Sequence, residues 1–120
     1  WDKLSQKTKV ELSKQRVEYG FSDGIESDLA LNAYKEIVNF THNHKINLIG
    51  FKLPVSKEYY TERSKLNLVK TKNILQNYPP DKIWDFSSLF FDQESYFRNS
   101  DHLNELGQSK FVSIIQKDIN

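Results

Sequence analysis

One of the chain's three histidines, His102, lies in "YFRNSDHLNELGQSKF", residues 96–111, between polar loop residues and the start of an apolar-striped helix. An imidazole on such a loop can serve as a general base when a neighbour holds one ring nitrogen and leaves the other free. Asn99 and Asp101 are the near candidates for that neighbour, with Asp92, at the start of the same loop, as a third. Side chains of adjacent residues in extended backbone point to opposite faces, so Asp101 reaches the ring only if the loop turns there. A general base also needs a nucleophile. Ser22 in "GFSDG" is the nearest approach to one, and a solvated loop serine is the simpler reading of it. In isolation His102 would be a helix-capping or surface histidine.

The other chemistry-bearing residues are less suggestive. His42 and His44 in "THNHK" are two apart, face different sides of a helix, and make a poor metal pair. Near a helix C-terminus they suit the exposed carbonyls instead. No metal constellation or cofactor motif is present, so neither is expected. Tyr59 and Tyr60 could line a substrate groove, because aromatic faces pack on sugar rings. Trp84 and Phe86 read as core.

The elements that must position these residues follow from periodicity. Residues 3–19 have sparse apolar positions and read as a solvated helix or partly ordered arm, closed by the glycines of "EYGFSDG". Ser27 caps a helix running to about His44, with Ala30, Ala33, Tyr34, Ile37, Val38 and Phe40 at helical spacing. "INLIGFKLPVS", residues 46–56, reads as a buried strand ending near Leu53. Ser56 caps a helix predicted to continue to the prolines of "NYPPD". "KIWDFSSLFF", residues 82–91, reads as a second strand or a strand passing into a loop, and a final helix spans about Asn104 to Asp118. Strand, crossover helix and strand form a right-handed parallel unit, so an α/β layered fold is expected, with "KLPVS" and the His102 loop at the same carboxyl rim. Two strands leave sheet edges open, and strands beyond these, or pairing with a second copy, are expected there.

At 120 residues the chain is the size of one domain, divided into an N-terminal helical arm and loop, 1–26, and a body, 27–120. Seventeen basic and sixteen acidic residues, spread along the length, give a net charge of +1 and no basic face, which argues against nucleic acid as partner. No apolar run approaches the roughly 20 residues needed to cross a bilayer. The absence of cysteine excludes disulfides, zinc-thiolate sites and thiol catalysis. Methionine is also absent, even at position 1, so a processed product, an excised domain or an expression fragment is expected.

"FRNSDHLNELGQSKF", with an apolar helix after it and "INLIGFKLPVSKEYY" some 45 residues before it, resembles the C-terminal half of the SGNH (GDSL-like) esterase and acyltransferase superfamily. It is most similar to the branch of bacterial cell-surface polysaccharide O-acetylation and teichoic acid D-alanyl transfer proteins, over about residues 27–118. The resemblance implies a three-layer α/β/α, flavodoxin-like parallel sheet, incomplete in this chain, and an extracytoplasmic location. It implies an ester-bearing glycan or small acyl ester as partner, no cofactor, a serine in an upstream Gly-Asp-Ser block, and His102 as general base. The family's aspartate, three residues before the histidine, falls on Asn99. An amide can hold a ring nitrogen but cannot stabilise imidazolium, and in serine proteases the Asp to Asn change lowers turnover about 10⁴-fold. Asp101 is the first candidate to replace it, followed closely by Asn99 itself and Asp92. No Gly-Asp-Ser occurs in the chain, so by itself it is expected to lack esterase activity. Two rival readings remain open: a catalytically dead carbohydrate- or protein-binding relative, and an unrelated α/β module with a capping histidine.

Overall fold

The computed structural model describes residues 1–21 and 26–119; Ser22 lies outside the described residues. In chain order the elements are α1 (Gln6–Gly20), α2 (Asp28–Asn43), β1 (Ile49–Lys52), α3 (Lys57–Ser64), α4 (Val69–Asn77), β2 (Lys82–Asp85), a 3-10 turn at Glu94–Tyr96, β3 (Phe97–Asn99), β4 (His102–Leu103) and α5 (Glu105–Ile119). Among the described residues this makes a mixed α/β chain of five helices with one parallel strand pair, β1–β2, and one antiparallel pair, β3–β4.

Local chemistry sets the ends of α2. Ser27 Oγ accepts from the Ala30 amide at 3.2 Å and caps its start. At the other end the Ile46 amide reaches back to the Thr41 carbonyl at 2.9 Å and the Lys45 amide to that of His42 at 3.2 Å. Those two bonds define a Schellman stop, whose C′ residue adopts the left-handed conformation and is usually glycine. Here it is Lys45, at φ 56°. Lys45→Gly is therefore expected to stabilise the chain by about 0.5–1 kcal/mol. Chemical denaturation measures this, and a lower midpoint in the variant would refute it.

The segment predicted as one helix over 57–77 is two. Ser56 Oγ caps α3 by accepting from the Tyr59 amide at 3.2 Å. The chain then breaks at residues 65–68. α4 has no side-chain cap from its own N-cap residue, Leu68. The Glu26 carboxylate serves instead, accepting from the Lys70 amide at 2.9 Å and from that of Thr71. A continuous helix would have used those two N–H groups internally, so capping by a distant carboxylate and interruption go together. Burial raises the Glu26 pKa, but the hydrogen bonds from Thr71 and Lys70 outweigh it and hold the carboxyl below its ordinary value.

β1 and β2 align Ile49 with Lys82 through to Lys52 with Asp85. The last pair is an ion pair of 2.7 Å across the strands. Hydrogen bonds from Lys52 and then Ser87 lower the Asp85 carboxyl from 3.8 to about 2, against an opposing contribution from burial. A carboxylate depressed on folding stabilises above its unfolded pKa and loses that contribution as pH falls through its folded value. Melting temperature is thus expected to fall between about pH 4 and about pH 2, less steeply in Asp85→Asn. Equal slopes in the two proteins would remove Asp85 as a cause.

The first strand is not the buried strand its composition suggests. Ile49, Phe51 and Leu53 are 41%, 43% and 61% exposed. Only two strands share the sheet, and a groove of about 380 Å³ runs between α2, α4 and the strands, lined among others by Tyr34, Ile37, Ile49, Phe51, Leu75 and Ile83. Trp84 is half-buried, edge-on to Phe51 at 4.9 Å, while Phe86 packs toward the main core.

The first helix is solvated over most of its surface, as its sparse apolar positions imply, but it is not a loose arm. It packs on α3 and buries Lys9, Ser13 and Val17, a stripe repeating every four residues. A lysine scores as polar, yet its aliphatic stem can cover apolar surface if its charge is paired. Lys9 Nζ is, 2.6 Å from Glu94 Oε2. The main core sits at the other end of the chain, where Phe90, Phe97 and Phe111 cluster with Trp1, Phe86, Tyr96, Leu103, Ile114 and Ile115 against them.

Candidate active site

His102 is carried by the small β3–β4 hairpin, which the core anchors from below. Phe97 on β3 is buried and pairs with Leu103 on β4. The next pair is Asn99 with His102, so β3 spends two residues where β4 spends one. That bulge at Arg98 re-aims the strand, because without it Asn99 and His102 would point to opposite faces. Ser100 and Asp101 form the turn. The loop does reverse at Asp101, as a contact between Asp101 and the ring requires.

One backbone bond fixes the hairpin to the segment that follows β1, and a second ties that segment to the residues that follow β2. The Ser56 amide, just past β1, donates to the Ser100 carbonyl at 2.8 Å, and the Val55 amide donates to that of Ser87, just past β2, at 3.2 Å. Pro54, Val55, Ser56, Ser87 and Ser100 are all buried. "LPVS" therefore acts as the seat for the histidine turn.

At the ring, Nδ1 lies 3.0 Å from Asn99 Oδ1 and 3.2 Å from Asp101 Oδ1. The Asp101 amide donates to the same Asn99 oxygen at 3.2 Å, which fixes the side-chain amide with its oxygen inward. With two acceptors facing it, the neutral ring carries its hydrogen on Nδ1 and presents the Nε2 lone pair. No described residue hydrogen-bonds Nε2, and the His102 side chain is half-exposed. Chemically this is an imidazole oriented for accepting a proton, with a carboxylate in place to stabilise the cation that results.

The carboxylate is itself held. Arg16 Nε, on α1, donates to Asp101 Oδ2 at 2.9 Å, and this hydrogen bond and then the charge of Asp101 raise the guanidinium further above its ordinary range. Nothing in the local sequence announces Arg16, which is 85 residues from Asp101. Its one signal is its place beside the Lys9, Ser13 and Val17 stripe that docks α1.

Tyr59 is half-buried on α3; burial, and then the nearby Asp101 charge, raise its hydroxyl pKa. Tyr60 points elsewhere and packs edge-on to Phe91 at 5.3 Å, so the two tyrosines do not share one groove with His102. Asp92 makes no contact with the imidazole; it lines a cleft of about 500 Å³ with Glu58, Glu62, Glu94 and Phe91. His42 pairs with Asp81 at 3.8 Å, and His44 stacks on Phe40 with Nδ1 2.8 Å from the Phe40 carbonyl oxygen. Among the described residues no group of three or more His, Asp or Glu side chains is arranged to hold a metal, and no hydroxyl contacts Nε2.

Asn104 and Gly107 of "HLNELG" have structural roles. Asn104 accepts from the Gly107 amide at 3.0 Å through Oδ1, capping α5, and donates through Nδ2 to the Ser95 carbonyl at 2.7 Å. Gly107 lies hard against the Tyr96 backbone. The chain matches no family model, no curated protein and no solved structure.

Proposed function

We propose that this chain is the histidine-bearing part of an SGNH-like serine esterase or O-acyltransferase that acts on ester-substituted cell-surface glycan outside the cytoplasm. One observation carries the proposal: His102 is held through Nδ1 by Asp101 and Asn99, with Nε2 free, beside the carboxyl ends of a parallel strand pair. On this reading β1 and β2 are two strands of a larger three-layer α/β/α sheet, and other polypeptide supplies the serine. That serine attacks the ester carbonyl as His102 Nε2 takes its proton, and the imidazolium returns the proton to the departing alkoxide. Water as the second acceptor gives hydrolysis, and a sugar hydroxyl gives transfer. Tyr59, beside Asp101, is a candidate contact for the substrate; Tyr60 is a weaker one.

A fluorophosphonate serine probe tests this on the natural gene product containing these 120 residues, on the 120-residue chain alone, and on the gene product with His102→Ala. The expected result is labelling of the first only. No labelling in any sample favours the binding-only reading, to which Asn99, an amide three residues before the histidine, already lends support. His102-dependent hydrolysis of an activated acetyl ester by the 120-residue chain would refute the assignment of the serine to other polypeptide.

A further inference from the structure

We propose that Arg16 is the counter-ion of the Asp101–His102 pair: by sharing the carboxylate, it keeps His102 in the neutral form that can accept a proton. The inference rests on reading His102 as a base and adds the device that sets its basicity.

A carboxylate 3.2 Å from an imidazole favours the protonated ring. Unopposed, Asp101 would favour imidazolium, the form that cannot accept a proton. The structure opposes it. Asp101 uses Oδ1 toward His102 Nδ1 and Oδ2 toward Arg16 Nε, so one negative charge lies between two groups that compete for it. Arg16 stays charged at every relevant pH, so its share is permanent while that of His102 varies.

The surrounding groups do not replace it. From α3, Tyr59 faces Asp101 and is neutral at neutral pH, its pKa being raised; Arg63 lies beside Tyr59. From α1, Tyr19 lies near Arg16. α5 opens with Glu105, three residues after His102, and the hairpin itself contributes Asn99, which is uncharged. Among the described residues, Arg16 is the Lys or Arg bonded to the carboxylate. The geometry also gives α1 a purpose: the buried Lys9, Ser13 and Val17 stripe presses the helix onto α3 and so delivers Arg16 to the turn.

The test is the titration of the His102 ring by NMR in the 120-residue chain, which needs neither the serine nor a substrate. Arg16→Gln keeps an N–H donor for Oδ2 and removes the charge. The His102 midpoint is expected to rise by about half a pH unit, the order of effect of one charge on the far side of a shared carboxylate in water-like surroundings. Arg16→Lys should restore the original midpoint, and Asp101→Asn should lower it. An unchanged or lower midpoint in Arg16→Gln, in a protein whose melting curve is intact, overturns the proposal while leaving the Asp101–His102 pair standing. An unchanged midpoint in Asp101→Asn removes that pair, and both readings with it.

Discussion

Gly107→Ala is expected to destabilise the chain by about 2–4 kcal/mol, a fall of roughly 10 °C in melting temperature for a domain of this size. A methyl at this position would overlap the Tyr96 carbonyl oxygen and stand 2.9 Å from Tyr96 Cβ and 3.1 Å from Leu103 Cδ2. The carbonyl cannot simply retreat, because it accepts from the Asn104 amide at 2.9 Å, next to the cap that starts α5. Tyr96 also packs on Phe90 and Leu103 packs against the main core, so movement of either is transmitted to the cluster around Phe97 and Phe111. Against this, alanine gains about 1 kcal/mol over glycine in helix propensity, too little to reverse the sign. Urea denaturation of the variant decides it; equal or greater stability would mean that the 3-10 turn yields more easily than this packing implies.

The second large effect separates the two partners of His102. If the gene product labels with a fluorophosphonate, His102→Ala should slow the reaction by about 10³-fold or more, and Asp101→Asn by about 10²- to 10⁴-fold. Asn99→Ala should cost less than about tenfold, since an amide oxygen orients the ring but adds no charge to stabilise imidazolium. The 3.0 and 3.2 Å contacts alone would put Asn99, the nearer, first, which is the wrong order for catalysis. Charge ranks them. A loss in Asn99→Ala equal to that in Asp101→Asn would show that orientation, not charge, is what the site requires.

Much of this architecture is legible in the residues. Ser27 and Ser56 mark the starts of α2 and α3 because a hydroxyl at that place takes an amide hydrogen bond within the next turn. The strand, helical crossover and strand order implies the parallel pair. What is not legible depends on partners far along the chain. The break between α3 and α4 follows from Glu26, 44 residues before Lys70, and the docking of α1 follows from Lys9 finding Glu94. The β3–β4 hairpin turns on Ser100 and Asp101 with no glycine to announce it, and it needs a bulge, which leaves no compositional trace. The candidate site divides in the same way: His102, Asn99 and Asp101 fall within four residues and can be read as a group, whereas Arg16 cannot.

Both ties that bind α1 to the far end of the chain, Lys9 to Glu94 and Arg16 to Asp101, join positions 85 residues apart. Closing so long a loop is entropically costly, and contacts of high sequence separation form slowly. The hairpin, the Asn104 cap and α5 are local and can assemble early. Refolding is therefore expected to pass through a state in which His102 and Asp101 have already met but Arg16 has not arrived. In that state the Asp101 carboxylate would face the imidazole alone, and the docking of α1 would be the step that closes the charge network of the turn.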